Sequence, residues 1–211
     1  MIEELNERMV LPHDITIAFQ KCGRANAFYD EDTHRITLCY ELVDDYFYLF
    51  SSQIRNKAKL DVAVRGAIAF IFFHEMGHAL IDAWNLPITG KVEDAADQLS
   101  TLILLEEIER GDQLALNSAL SFELYAYLAK GQKKIYWDEH SLDEQRFYDI
   151  LCMLYGHDPE KYAYLTKDGL LPLPRAELCK GEYPRFKMSW QTLLAPYMKS
   201  PLSADSKISM H

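Results

Sequence analysis

The sequence is short of positive charge, of backbone breakers and of long apolar runs, and each shortage removes a class of function. Lys and Arg total 22 against 32 Asp and Glu, giving a formal charge of −10 and a pI near 5.1. Nucleic acid is therefore not an expected partner, because phosphate binding draws on a basic face that this balance does not supply. An acidic surface serves mainly solubility, with a smaller opening for attracting divalent metal or cationic substrates. The longest uninterrupted apolar run, residues 67–73, is far shorter than the roughly 20 residues needed to cross a bilayer. No transmembrane segment is expected. Only 9 Gly and 8 Pro punctuate 211 residues that are 49% hydrophobic, which argues against disorder and for one domain over 1–200 followed by a flexible tail over 201–211. The N-terminus has Glu3, Glu4 and Glu7 where an export signal would have a basic region and an apolar stretch.

C-x-x-C pairs are absent too, so the four cysteines make neither a zinc knuckle nor a dithiol redox motif. They fall into two neighbourhoods, Cys22 with Cys39 and Cys152 with Cys179. Two local disulfides are the leading reading, and four reduced, buried thiols in a cytosolic protein remain the alternative.

What is there begins with strand chemistry confined to the N-terminal part. Ile15, Ile17 and Phe19 alternate with Thr16 and Ala18, and Ile36, Leu38 and Tyr40 alternate with Thr37 and Cys39. Between them, residues 27–29 enter a polar turn, which predicts a small sheet containing a hairpin. From Glu41 onward the pattern is helical. A central buried helix is expected from Asp61, as N-cap, to about Trp84, then a loop with Pro87 and Gly90, then helices marked by Val92, Ala96, Leu99 and Ile103 and by residues 114–128. Ser141 with Glu144 reads as a capping box before a helix that Gly156 stops, and a last amphipathic segment runs from about Phe186 to Met198. The predicted class is α+β, with the sheet packed on the central helix and a mainly helical C-terminal half.

Inside the central helix stands His74-Glu75-Met76-Gly77-His78. Histidines four residues apart lie one above the other, so both imidazoles can reach one zinc ion from a single face. Glu75, about 100° round the helix, can act as general base toward water without completing the ligand set. Random placement would produce this pattern in about one in 60 chains of this composition, and burying it in an apolar helix would be costly without a metal or partners. A catalytic zinc normally has three protein ligands and an open position. Fifteen residues after His78 comes Glu93, four residues before Asp97 and on the same helical face. Glu93 is the expected third ligand and Asp97 the carboxylate that orients a ligand histidine, with the reverse assignment open. For the oxyanion donor that hydrolysis needs, His140 is the first candidate and Tyr136 the second, with Arg146 one turn into the following helix. His13, His34, His157 and His211 lack metal-like spacing and are expected to face solvent.

HEMGHAL followed by EDAAD resembles the gluzincin type of zinc metallopeptidase, in which one helix carries H-E-x-x-H and the next carries E-x-x-x-D. More closely, CGRANAFYD, ITLCYEL, FFHEMGHALI, EDAADQ, DEHSLDEQRFYDILCMLYG and SWQTLLAP together resemble a bacterial family of zinc metallopeptidases whose function is not known, over residues 22–197. The resemblance implies a zincin-like fold, a zinc cofactor and hydrolysis of a peptide or protein substrate. It also implies export, hence paired cysteines and a periplasmic or secreted home with the signal outside this sequence, while a cytoplasmic location stays open. The competing class is a catalytically silent zincin-like module whose metal only holds the fold or a protein partner.

Overall fold

The computed structural model describes residues 2–199 and 207–209. The chain is α+β. In order it forms α1 (Ile2–Arg8), β1 (Thr16–Gln20), β2 (Ala27–Asp30), β3 (Arg35–Cys39), α2 (Tyr40–Ser51), α3 (Lys57–Ala83), α4 (Val92–Glu107), α5 (Gly111–Leu128), α6 (Asp143–His157), α7 (Tyr164–Lys167) and α8 (Leu173–Leu194), with a 3₁₀ turn at Ala195–Tyr197. The strand order is β1-β3-β2, with β1 parallel and β2 antiparallel to β3. The expected hairpin is β2–β3. Its turn is closed by Asp30, whose carboxylate accepts from the Thr33 backbone N–H at 2.8 Å and hydroxyl at 2.6 Å. β3 is buried on both faces, as a central strand must be: Ile36, Thr37, Leu38 and Cys39 are all 2% exposed or less. Phe19, predicted to share the inward face of β1, is instead half-exposed, because β1 lies at an edge of the sheet.

β2 forms the other edge. The Cys39 N–H donates to the Asn26 carbonyl, and alternation along an antiparallel pair then turns the backbone N–H and C=O of Ala27 and Tyr29 away from β3. That edge runs beside α3, against which β2 and β3 pack, and its Tyr29 N–H donates to Glu75 of that helix.

α3 is the axis of the molecule and also touches α2, α4 and α5. It starts four residues before the expected cap: Asn56, not Asp61, takes the N-cap, its side chain accepting from the Lys59 N–H. The helix is apolar and long enough to cross a membrane by composition alone, and 72% of that stretch is buried inside the protein. Asn85, with φ of 46°, turns the chain out of the helix. The following loop reverses direction and α4 returns along α3. The two approach most tightly at Gly77, where a Cβ would stand 3.2 Å from Ala96 Cα.

Three expectations in the C-terminal half are corrected. Leu142, not Ser141, is the N-cap of α6; its backbone N–H donates to the Gln145 side chain at 3.1 Å, and the Ser141 hydroxyl goes to Asp94 instead. Gly156 does not stop α6; it lets the Cys179 carbonyl of α8 come to 2.4 Å from where a Cβ would be. The last helix begins at Leu173, well before Phe186, and continues through Pro184 because Ala176, Cys179 and Tyr183 are buried against their neighbours. Tertiary contact here overrides the breaker.

All four cysteines are paired, Cys22 with Cys39 (Cα–Cα 5.5 Å) and Cys152 with Cys179 (5.2 Å), as the leading reading expected. Pairs at this distance are consistent with an oxidising, extracytoplasmic setting. The expected flexible tail falls partly on 201–206, 210 and 211, outside the described residues. Its described part is docked: Ile208 is fully buried, bridges Ile108 in parallel, donates its N–H to the Glu107 carbonyl at 2.6 Å and accepts from the Glu109 N–H at 2.9 Å.

Two measurements check this packing. Ile208→Ala should lower the unfolding free energy by about 2 kcal/mol in urea titrations, the cost of emptying a buried aliphatic site, whereas a frayed tail would leave it unchanged. Reducing the cross-links, which span 17 and 27 residues, should remove about 3 kcal/mol each and lower the melting temperature; an unaltered melting curve under reductant would refute their contribution.

Candidate metal centre

The close approach at Gly77 brings the first turn of α4 over the imidazoles of α3. His74 and His78 present Nε2 atoms 3.1 Å apart. Facing them is one oxygen of Glu93, Oε2, at 3.1 Å from His74 Nε2 and 3.4 Å from His78 Nε2. A third imidazole joins from the loop between α5 and α6, with His140 Nε2 2.9 Å from that same oxygen. The edges of a tetrahedron with metal–ligand bonds of 2.0–2.1 Å measure about 3.3 Å, so these separations are those of atoms sharing a zinc-sized cation.

Glu93 Oε2 itself tests the fit. It is buried, three ring nitrogens surround it, and none is aligned for a hydrogen bond with it. A buried carboxylate oxygen without such a partner is costly. A cation in the middle would satisfy it, and His74, Glu93 and His140 offer ligand atoms that all lie within 4.8 Å of one another.

Behind the cluster the first imidazole is held from its other side. Asp97, one turn after Glu93, accepts from His74 Nδ1 at 2.7 Å. The same carboxylate takes two bonds from Arg146 of α6, Nε to Oδ2 and Nη2 to Oδ1, both 2.7 Å. The guanidinium lies over the Phe122 ring, 4.0 Å from its centre. Asp97 therefore faces away from the point on which the three Nε2 atoms converge, and Glu93 faces toward it. Arg146, considered from sequence as an oxyanion donor, is engaged here by Asp97.

Charges follow this geometry. Burial alone would depress His74, but the Asp97 and Glu93 carboxylates push its pKa up to about 9. Burial would raise Glu93, yet the imidazoles of His140, His74 and His78 hold it well below the usual carboxylate range. Asp97 is likewise lowered against its burial, by Arg146 and then His74. Glu75 moves the other way. At 7% exposure its carboxyl is pushed up by desolvation, opposed only in part by the neighbouring histidines and the Tyr29 backbone N–H. A carboxyl made more basic beside a metal-type cluster is suited to taking a proton.

The remaining candidates divide. Tyr136 stands 77% exposed, and among the described residues no hydrogen bond or ion pair joins it to the cluster. His157, expected to face solvent, packs against Tyr183, with Nδ1 3.0 Å from the hydroxyl and 3.6 Å from Glu106. His13 stacks on His34 at 3.6 Å, and His211 lies outside the described residues. Sequence reasoning missed Asp138, whose carboxylate faces His140 Nδ1 at 3.4 Å; its position two residues before a candidate histidine was the available signal.

A family model described as "putative metallopeptidase" matches residues 1–194. The chain belongs to this family. No curated protein and no solved structure matches it. Membership agrees with the resemblance in the motifs and suggests a metal cofactor and a peptide or protein substrate; the family description identifies neither.

Arg146 is the point at which this support can be probed. Arg146→Leu leaves Asp97 buried without its counter-charge and should cost about 3–5 kcal/mol of stability. Arg146→Lys keeps the charge but not the two-pronged geometry, and should fold while binding zinc about 10-fold more weakly in chelator competition. Unchanged affinity in the lysine variant would remove Arg146 from the support of His74.

Proposed function

We propose that the protein is a zinc-dependent metallopeptidase of gluzincin type that hydrolyses peptide bonds by direct attack of water, in a zincin-like arrangement and an extracytoplasmic setting. The observation that carries this reading is the convergence of His74, His78 and Glu93 on one point, with Glu75 adjacent and engaged in none of those contacts. Zinc bound there would lower the pKa of a water and polarise the carbonyl to be attacked.

The chain's own residues supply the rest. Glu75 takes the proton of the attacking water and delivers it to the departing amine, a transfer favoured by its raised affinity for protons. His74 is held in one ring orientation by Asp97, and Asp97 by Arg146. His140, whose Nε2 reaches Glu93 at 2.9 Å, is the residue assigned to donate to the oxygen on which negative charge develops; Tyr136 has no contact that favours it. An extended polypeptide can pair with the outward Ala27 N–H and C=O and Tyr29 C=O groups on β2, whose Tyr29 N–H is already bonded to Glu75, and this would lay its backbone beside Glu75.

The silent metal-holding module is favoured by one observation, the presence of His140 as a fourth donor. Against it, a purely structural metal gives no role to Glu75. Elemental analysis should find one zinc per chain in the native protein and none in His74→Ala, and retention of zinc by that variant would end the ligand assignment. Glu93→Gln should weaken zinc more than Asp97→Asn; the opposite order would make Asp97 the ligand. Glu75→Gln should keep the metal and lose at least about 100-fold in hydrolysis of a denatured protein substrate, and equal turnover would favour the silent module.

A further inference from the structure

The loop at 129–142 carries more than a donor for the reaction. We propose that in the substrate-free protein His140 is itself a ligand of the metal, occupying the fourth position through Nε2, and that this loop is a lid that must release it before a substrate can enter. The proposal rests on the metal centre described above and adds to it one ligand and one moving part.

Three observations carry it. First, His140 Nε2 is the nitrogen nearest to Glu93 Oε2, at 2.9 Å compared with 3.1 and 3.4 Å for His74 and His78, and it is His140 that joins His74 and Glu93 in the set whose ligand atoms all lie within 4.8 Å of one another. Second, its other ring nitrogen is backed by a carboxylate. Asp138 Oδ1 accepts the His140 backbone N–H at 3.0 Å and lies 3.4 Å from Nδ1, a looser counterpart of the 2.7 Å pairing of Asp97 with His74. Histidines that bind metal almost always donate their second nitrogen in this way, whereas a surface histidine has no need of it.

Third, the loop is tied to the turn that bears Glu93. Lys91 Nζ donates to the carbonyls of Asp138 at 3.2 Å and His140 at 3.5 Å, and the Ser141 hydroxyl donates to Asp94 at 2.7 Å. These bonds are polar and near the surface, so water can replace them at small cost. The loop's two large aromatic rings, Tyr136 and Trp137, are 77% and 75% exposed; Trp137 meets the Lys133 ammonium of the same loop at 5.9 Å, and Lys134 pairs with Glu144 at the start of α6 near the surface. His140 is also the outermost of the three histidines, its side chain 42% exposed against 3% for His74 and 19% for His78. A ligand from a lightly held loop is the one that can leave, and once released it stands where it can donate to the carbonyl oxygen.

Cobalt-substituted and zinc-loaded full-length protein test this apart from catalysis. His140→Ala should still bind one metal, about 10- to 100-fold more weakly than the native chain in chelator competition, with a changed cobalt visible spectrum. Acetohydroxamate should perturb that spectrum in the variant at concentrations at least about 10-fold lower than in the native protein, because the fourth position is then open. In hydrogen exchange, zinc should slow the amides of 137–141 in the native chain and leave them unaffected in the variant. Unchanged affinity and spectrum in His140→Ala, or no zinc-dependent protection of the loop, would overturn the assignment. Zinc retained by His74→Ala would instead overturn the underlying centre, so the two failures are distinguishable.

Discussion

Everything at the centre depends on burying charge in compensated form. His74 sits at 3% exposure inside the long, largely buried helix α3, a place where an uncompensated ionisable group would cost several kcal/mol. It is tolerated because Asp97 meets its Nδ1, Arg146 meets Asp97 twice, and Phe122 lies under the guanidinium. The sequence Phe122, Arg146, Asp97, His74 draws on α5, α6, α4 and α3 in turn. The helices that form the core therefore also fix the angle of one imidazole, and loosening any of them would turn that ring.

The front and the back of the cluster are held by different kinds of contact. Behind His74 the polar groups are buried and bonded to one another. In front, Glu93 shares a turn with Lys91 and Asp94, and those residues hold the His140 loop through exposed contacts. A rigid rear wall with a weakly held front is the arrangement expected of a site that must keep its geometry yet admit a chain. At the edge of β2 the Tyr29 N–H is bonded to Glu75, so the small sheet contributes to the site as well as to the core.

The cross-links and the docked end reinforce the periphery. Cys22–Cys39 ties the segment before β2 to the end of β3, and Glu41 accepts the Cys22 and Gly23 N–H groups beside it. Cys152–Cys179 fastens the first half of α8 to α6, upstream of the proline that would otherwise favour a break. Ile208 closes the junction of α4 and α5. Cys152–Cys179 and Ile208 thus brace α6, which carries Arg146, and the end of α4, the helix of Glu93 and Asp97, while Cys22–Cys39 braces the sheet that packs on α3.

Local pattern alone specified the α+β class, the hairpin, the central helix and the position of His74, Glu75 and His78, because periodicity and the H-E-x-x-H spacing are properties of neighbouring residues. It also limited the remaining carboxylates to Glu93 and Asp97. Which of them points at the Nε2 atoms depends on how α4 lies on α3, where Gly77 meets Ala96: Glu93 does, and Asp97 meets His74 at Nδ1 instead. The pairing of Arg146 with Asp97 and the approach of His140 to Glu93 join residues 49 and 47 positions apart, where spacing carries no information. The true start of α8 escaped for the same reason: the proline is local, and the burial that outweighs it comes from α6. Short-range chemistry is written along the chain, whereas the direction in which a side chain points depends on what the rest of the fold leaves beside it.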